Sequence, residues 1–268
     1  MSRVSVEAGA AGVSAEPRTG IKISAGMTRL LVIAGLVIFW EVGVRLGGDP
    51  LFMAPPSETV VALVGLASNV PVLNAIGTTL YELVIAFVIA VVAGLPVGLL
   101  LGLQRFSYRS FYPIVLLLYA TPQATILPLV ILVFGIGPAS KIAFGVTHAF
   151  FPIAINVIAG VQGIKPLLLT AARSMGANRR QVFWNVILPN MIPSFFTGMR
   201  LAMTADLLGV LLAELYVSQA GVGHYTRLFT ESFAPAKLFA LVACLAALAV
   251  CLNESCRRAE RRMSRWHE

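Results

Sequence analysis

The sequence predicts an all-α polytopic membrane protein, with six transmembrane helices and one long loop on the cytoplasmic side. Three observations carry that prediction. The mean hydropathy of the chain is +0.86. Only 12% of its 268 residues are charged, about half the share in an ordinary soluble domain. The apolar residues gather in uncharged runs such as 111–136 and 142–164, and about 20 such residues cross the hydrocarbon core of a bilayer as a helix.

Residues 1–26 are rich in Ala, Gly and Ser, with scattered Arg3, Glu7, Glu16, Arg18 and Lys22. They lack the apolar surface needed to order themselves and read as a disordered cytoplasmic N-tail. The first apolar run begins at Leu30 and leads into Trp40, Glu41 and Arg45 without a small-residue cleavage site, so it reads as a retained span rather than a signal peptide. Ala54-Pro-Pro-Ser57 makes a turn, with Ser57 as the expected N-cap of a short interfacial helix carrying Val60, Val61, Leu63, Val64 and Leu66. Further runs follow at about 76–103, 111–136, 142–164, 195–217 and 238–252. This gives a six-span domain over 27–256, with a long loop at 163–193, and then a basic C-tail at 257–268. The first and last runs are short, and Arg29, Arg45, Lys237 and Arg257 can snorkel to the interfaces.

Six spans place both termini on one side of the membrane. That side holds four Lys and Arg in the N-tail, then Arg105 and Arg109, four more in the long loop and five in the C-tail. The other side has Arg45, Lys141, Arg227 and Lys237. The excess of basic residues places termini and loop in the cytoplasm. The net charge of +8 follows from that asymmetry, and no nucleic-acid-reading motif accompanies it, so no nucleic-acid partner is expected. Cys244, Cys251 and Cys256 have neither CxxC spacing nor a histidine partner, which argues against a disulfide framework or metal site.

No phosphate loop, HExxH, GxSxG or dinucleotide fingerprint occurs, so no catalytic residue and no cofactor is assigned to this chain. Ala86, Ala90, Gly94, Gly98 and Gly102 recur every fourth residue, with Pro96 among them, and form a face that lets another helix approach closely. Packing within one subunit and a role in a dimer or pathway both fit that face. Glu82, His148, Asn156, Asp206 and Glu214 lie in or near spans, where polar groups are costly and mark a pathway or an internal pair. Glu82 and Glu214 also fit positions solvated at the outer interface, and His148 fits a hydrogen-bonded packing role. Asp206 follows Arg200 by six residues, too far round a helix to pair with it, so its partner is expected on another helix.

The long loop reads as two short helices. Lys165-Pro166 starts the first and Gly176 ends it in the left-handed conformation. Asn178 and Gln181 form a capping box for the second, and Pro189 and Pro193 are expected to stop it before the fifth span. On the first, Leu168, Ala172 and Met175 share a face with Ala171 beside them, a small apolar surface suited to a partner or to the lipid surface.

Thr170-Ala171-Ala172, three residues, Gly176, nine residues, then Val186-Ile187-Leu188-Pro189 resembles the EAA loop of ABC importer permeases, E-A-A-x3-G-x9-I-x-L-P. Thr170 stands where that pattern has glutamate and Val186 where it has isoleucine. Ala54-Pro-Pro-Ser57, Gly94-Leu-Pro-Val-Gly98, Thr121-Pro-Gln-Ala-Thr-Ile-Leu-Pro-Leu129, Phe134-Gly-Ile-Gly-Pro-Ala-Ser-Lys141, Gly198-Met-Arg-Leu-Ala202 and Gly221-Val-Gly223 are similar to segments of the nitrate/taurine/sulfonate branch. The resemblance implies a bacterial inner-membrane permease that pairs with a second copy of itself. It also implies a cytoplasmic ABC ATPase dimer, which binds ATP and Mg, and an external substrate-binding protein that delivers a small solute such as a sulfonate or nitrate. Leu168, Thr170, Ala171, Ala172, Met175, Gly176, Val186, Leu188 and Pro189 would then form the coupling contact. The alternatives are an ion-coupled secondary transporter or channel using Glu82, Asp206 or Glu214, and a membrane scaffold without transport.

Overall fold

A computed structural model describes residues 25–263, with no strand among them. Most of the expected N-tail and the end of the C-tail lie outside the described residues. The elements are α1 (Ala25–Gly47), α2 (Pro56–Ala67), α3 (Val70–Leu103), α4 (Arg105–Ala120), a 3-10 turn (Gln123–Ile126), α5 (Leu127–Phe134), α6 (Pro138–Gln162), α7 (Pro166–Ser174), α8 (Arg179–Val182), a π-helical segment (Phe183–Ile187), α9 (Leu188–Val217), α10 (Val222–Glu231) and α11 (Pro235–Met263). Five helices are long and apolar enough to cross a membrane, and the α4–α5 pair makes a sixth if it is counted as one span. The last helix continues past Cys256, so the first part of the expected C-tail is helical.

The run 111–136 is not one straight helix. It is broken between Ala120 and Gln123 and bent by 84°. Pro122 biases Thr121 towards extended backbone, and Thr121 has ψ 135°. The Thr121 hydroxyl donates to Leu117 O at 3.0 Å and the Thr125 hydroxyl to Pro122 O at 2.7 Å, which satisfies carbonyls that the break would otherwise strand.

Ser57 does not cap α2 as the sequence suggested. The N-cap is Pro55, and Glu41 on α1 takes over the capping role from outside the helix. Its carboxylate accepts the Ser57 N–H at 3.0 Å and the Ser57 hydroxyl at 2.8 Å, an anion at the positive end of a helix. Arg45 completes the contact, 2.6 Å from Glu41.

The core is α6 held between α3 and α9. The small-residue stripe on α3 packs within the subunit. A Cβ on Gly94 would lie 3.0 Å from Ile153, one on Gly98 would lie 2.7 Å from Val157, and one on Gly102 would lie 3.0 Å from Val161. Further along, Ala86 faces Gly145, and Ala90 joins Ala149 and Ile153 in one buried cluster. The opposite face of α6 meets α9 at similar range: a Cβ on Gly160 would reach Ser194, and one on Gly198 would reach Asn156. In lipid, where apolar side chains gain little by leaving their solvent, this backbone approach supplies the packing energy.

Pro189 and Pro193 do not stop the second loop helix. The π-helical segment at 183–187 links α8 to α9, so the helix runs unbroken from Arg179 to Tyr216. The register change moves the Leu188 N–H onto Phe183 O, and the widened turn gives Pro189 room where an α-turn would press its ring on the preceding carbonyl.

Gly98→Leu should cost about 1–3 kcal/mol by overpacking and lower the unfolding temperature in detergent. Gly77→Leu should leave it unchanged, since nothing lies within 4 Å of a Cβ there.

Candidate functional site

Two regions at opposite ends of α6 combine the sequence candidates, separated by about 35 Å at 1.5 Å per residue. The first is a polar cluster where α3, α6 and α9 meet. Lys141, only 4% exposed, places Nζ 2.5 Å from Glu82 Oε1. Neither carboxylate oxygen of Glu82 makes a hydrogen bond, so the contact is an ion pair by proximity. The ammonium donates to Ser218 Oγ at 3.1 Å, and the Ser218 hydroxyl donates in turn to Ala220 O.

Glu214, also fully buried, accepts the Thr79 hydroxyl at 2.7 Å on one oxygen and the Gly223 N–H at 2.7 Å on the other. Thr79 Oγ accepts the Val222 N–H at 2.9 Å. The Glu214 carboxylate therefore sits at the N-terminus of α10, where helix N–H groups lack internal partners and the helix dipole favours negative charge. Gly221 has φ 95°, and a Cβ there would overlap the carboxylate. Both features explain glycine at that position. Beside the ion pair lies a cavity of about 270 Å³ lined by Thr78, Glu82, Gly137, Lys141, Ser218 and Gln219.

The solvated placements of Glu82 and Glu214 are thus overturned, since burial and mutual contact replace exposure at the outer interface. Lys141 is not a loop charge but a core residue of α6. Sequence reasoning missed its role, although a lysine one turn into an apolar helix was the available signal. Thr79 and Ser218 were missed because hydroxyls inside helices usually bond their own backbone. Asp206 is fully buried and has no hydrogen-bond partner among the described residues, so the partner expected on another helix is not there. It faces Gly145 of α6, which has no side chain to offer. Arg200 pairs instead with Glu260, at 3.5 Å. His148 Nδ1 lies 3.0 Å from Phe144 O and Asn156 donates to Pro152 O at 2.8 Å, so both satisfy the backbone of α6 itself.

The second region is α7 with the segment after it. Gly176 ends α7 with φ 80°, and the Ala177 N–H to Ala172 O and Gly176 N–H to Arg173 O bonds form a Schellman motif. The Asn178–Gln181 capping box is present, with both bonds made. Leu168 is 41% and Met175 82% exposed, with Leu167, Thr170 and Ala171 exposed beside them. Ala172 departs from the expected surface: it is 6% exposed and packs inward. Val186, Leu188 and Pro189 are half-buried where the π-helical segment passes into α9.

Residues 94–265 match the family described as binding-protein-dependent transport system inner membrane component. The chain belongs to this family. It is 32% identical over 237 residues to the taurine transport system permease protein TauC of Escherichia coli (strain K12), covering 87% of this chain and 86% of that one. It is 28% identical over 250 residues to the putative aliphatic sulfonates transport permease protein SsuC of Bacillus subtilis (strain 168), covering 93% and 91%. A third relative, the formylaminopyrimidine transport permease protein ThiX of Halalkalibacterium halodurans, is 26% identical over 233 residues, covering 87% and 93%. The fold is shared with a chain of the inward-facing MetNI methionine ABC transporter, with a TM-score of 0.63 at 21% identity, over 80% of this chain and 100% of that chain. The protein is a multi-pass membrane permease of the ABC importer type, and the secondary-transporter and scaffold alternatives give way to that assignment.

Thr79→Val in this permease should strand the Val222 N–H and one oxygen of Glu214, at about 1–3 kcal/mol for each buried group left unpaired. A lowered unfolding temperature is expected. Thr78→Val, which loses only a bond to Asn74 O in its own helix, should change it little.

Proposed function

We propose that two copies of this permease pair in the bacterial inner membrane and dock two cytoplasmic ATPase subunits, which bind ATP and Mg. The pair takes a small sulfonate or similar small organic solute from an external binding protein and passes it inward. The observation that carries the reading is the exposed apolar face of α7, made by Leu167, Leu168, Ala171 and Met175. Such a face on a short helix outside the spans fits a groove on a partner protein. The names of the taurine and sulfonate relatives favour the solute class. The excess of basic residues on the α7 side favours cytoplasmic termini.

The unbroken helix from Arg179 to Tyr216 suggests how ATP acts at a distance. Its first turn follows α7 and its far end carries Glu214. Closure of the ATPase pair displaces α7, the long helix moves as a lever, and the polar cluster shifts against α3 and α6. Alternating access then needs only two packings of the bundle with different affinities for the nucleotide-bound ATPase.

Ala172 lies under α7, so a charge there would test folding rather than docking. Ala171→Glu and Met175→Glu place an unmatched carboxylate in the proposed contact, where burial costs several kcal/mol, roughly a hundredfold or more in occupancy. ATPase co-purification and ATP-driven uptake in proteoliposomes should fall together while the variants keep the wild-type unfolding temperature. Undiminished uptake by both would refute the docking face.

Reporter fusions near residues 107 and 178 should read as cytoplasmic, and those near 62, 138 and 226 as external. A cytoplasmic signal at 62 or 226 would overturn the orientation.

A further inference from the structure

We infer that the cavity between α3, the start of α6 and residues 218–220 is a solute site within the permease itself, selective for a small zwitterion. It takes an ammonium group on Glu82 and a sulfonate or carboxylate group at the N-terminus of α6. The inference rests on the importer reading and adds selectivity to it.

Four observations converge on this cavity. Its volume of about 270 Å³ is just below the range of drug-sized sites and suits a smaller solute. The N-cap of the 25-residue α6 is Gly137, and no side chain caps the helix. The Ser140 hydroxyl, which might have done so, donates to Gly137 O at 2.9 Å. The first N–H groups of a long helix are therefore left to an anion. Glu82 lines the same cavity, is fully buried and makes no hydrogen bond, so a donor from a ligand has an acceptor waiting. Glu214 lies within interaction range of Glu82, which sets two carboxyl groups against the single ammonium of Lys141.

That balance decides the ligand class. Lys141 is held by Glu82 and Ser218, so a plain anion would find no free cation and two carboxyl groups nearby. A zwitterion brings its own cation to Glu82 and adds no net charge to the site. Gly137 keeps the mouth open: its backbone is extended at φ 164°, which any residue adopts, and a Cβ there would meet nothing within 4 Å.

The test is direct binding of labelled taurine and of ethanesulfonate, which lacks the amine, to the permease–ATPase complex in nanodiscs without binding protein. The wild type should bind taurine saturably and about tenfold or more tighter than ethanesulfonate, a gap of at least 1.4 kcal/mol. Glu82→Gln should abolish that preference. Gly137→Val, which fills the mouth without disturbing backbone, should weaken taurine binding about tenfold at an unchanged unfolding temperature. If Glu82→Gln fails to fold, Gly137→Val decides alone. The site is overturned by absent taurine saturation, by equal affinity for the two solutes, or by wild-type binding in Gly137→Val. ATP-driven uptake that persists alongside any of these results leaves the importer reading standing. Loss of ATP-driven uptake in the wild-type complex removes that reading instead.

Discussion

The close approach of three backbones along α6 is the constraint on which the rest of the structure depends. Gly94, Gly98 and Gly102 bring α3 against one face of α6, and Gly160, Gly198 and Gly209 bring α9 against the other. In a bilayer the lipid chains compete on equal terms for apolar side chains, so many shallow contacts would hold these helices weakly. Contact at the level of Cα and carbonyl replaces bulk burial with dense dispersion packing. It also leaves long apolar side chains such as Leu100, Leu132 and Val92 exposed, where lipid covers them.

That tight triple crossing determines where charge can be held. Side chains long enough to carry charge cannot fit between α3 and α6 over the glycine stripe, and they collect where the stripe ends. There Glu82 takes the position one turn before Ala86, and Lys141 the position one turn before Gly145. A lone buried charge in this setting would be expensive, and the pair offsets that cost only because each member is held by further polar contacts. Glu214 is held differently, by a hydroxyl and a helix N-terminus. The turn Gly221-Val-Gly223 exists in its observed form because side chains at either glycine would strike Glu214.

The same architecture joins the two ends of the permease mechanically. A straight α-helix with prolines at 189 and 193 would kink or stop. The π-helical segment absorbs the first proline, and the long helix can then act as one body from the α7 side to Glu214. Local irregularity is thus what permits long-range rigidity. Asp206 sits midway along this helix with its carboxylate unpaired against Gly145, and nothing in the contacts of this conformation explains its retention there.

The sequence by itself determined the helical class, the spans, the small-residue faces and the signals of the coupling loop. Each of these is local: hydropathy acts over about 20 neighbouring residues, a left-handed Gly176 or an Asn178 cap depends on its own turn, and the four-residue spacing of the α3 stripe is a property of one helix. The tertiary structure alone decided which face met which. It turned the α3 stripe onto α6, sent Ala172 inward while Ala171 stayed out, bent the 111–136 run at Thr121-Pro122, and carried α9 through Pro189. Lys141 shows the reason most clearly. Its neighbours in sequence make it a charge at a helix start, and only Glu82 and Ser218, 59 and 77 residues away, make it the buried centre of a site. Electrostatic pairing and steric fit depend on distance in space, and a sequence read locally holds no information on which distant residues share it.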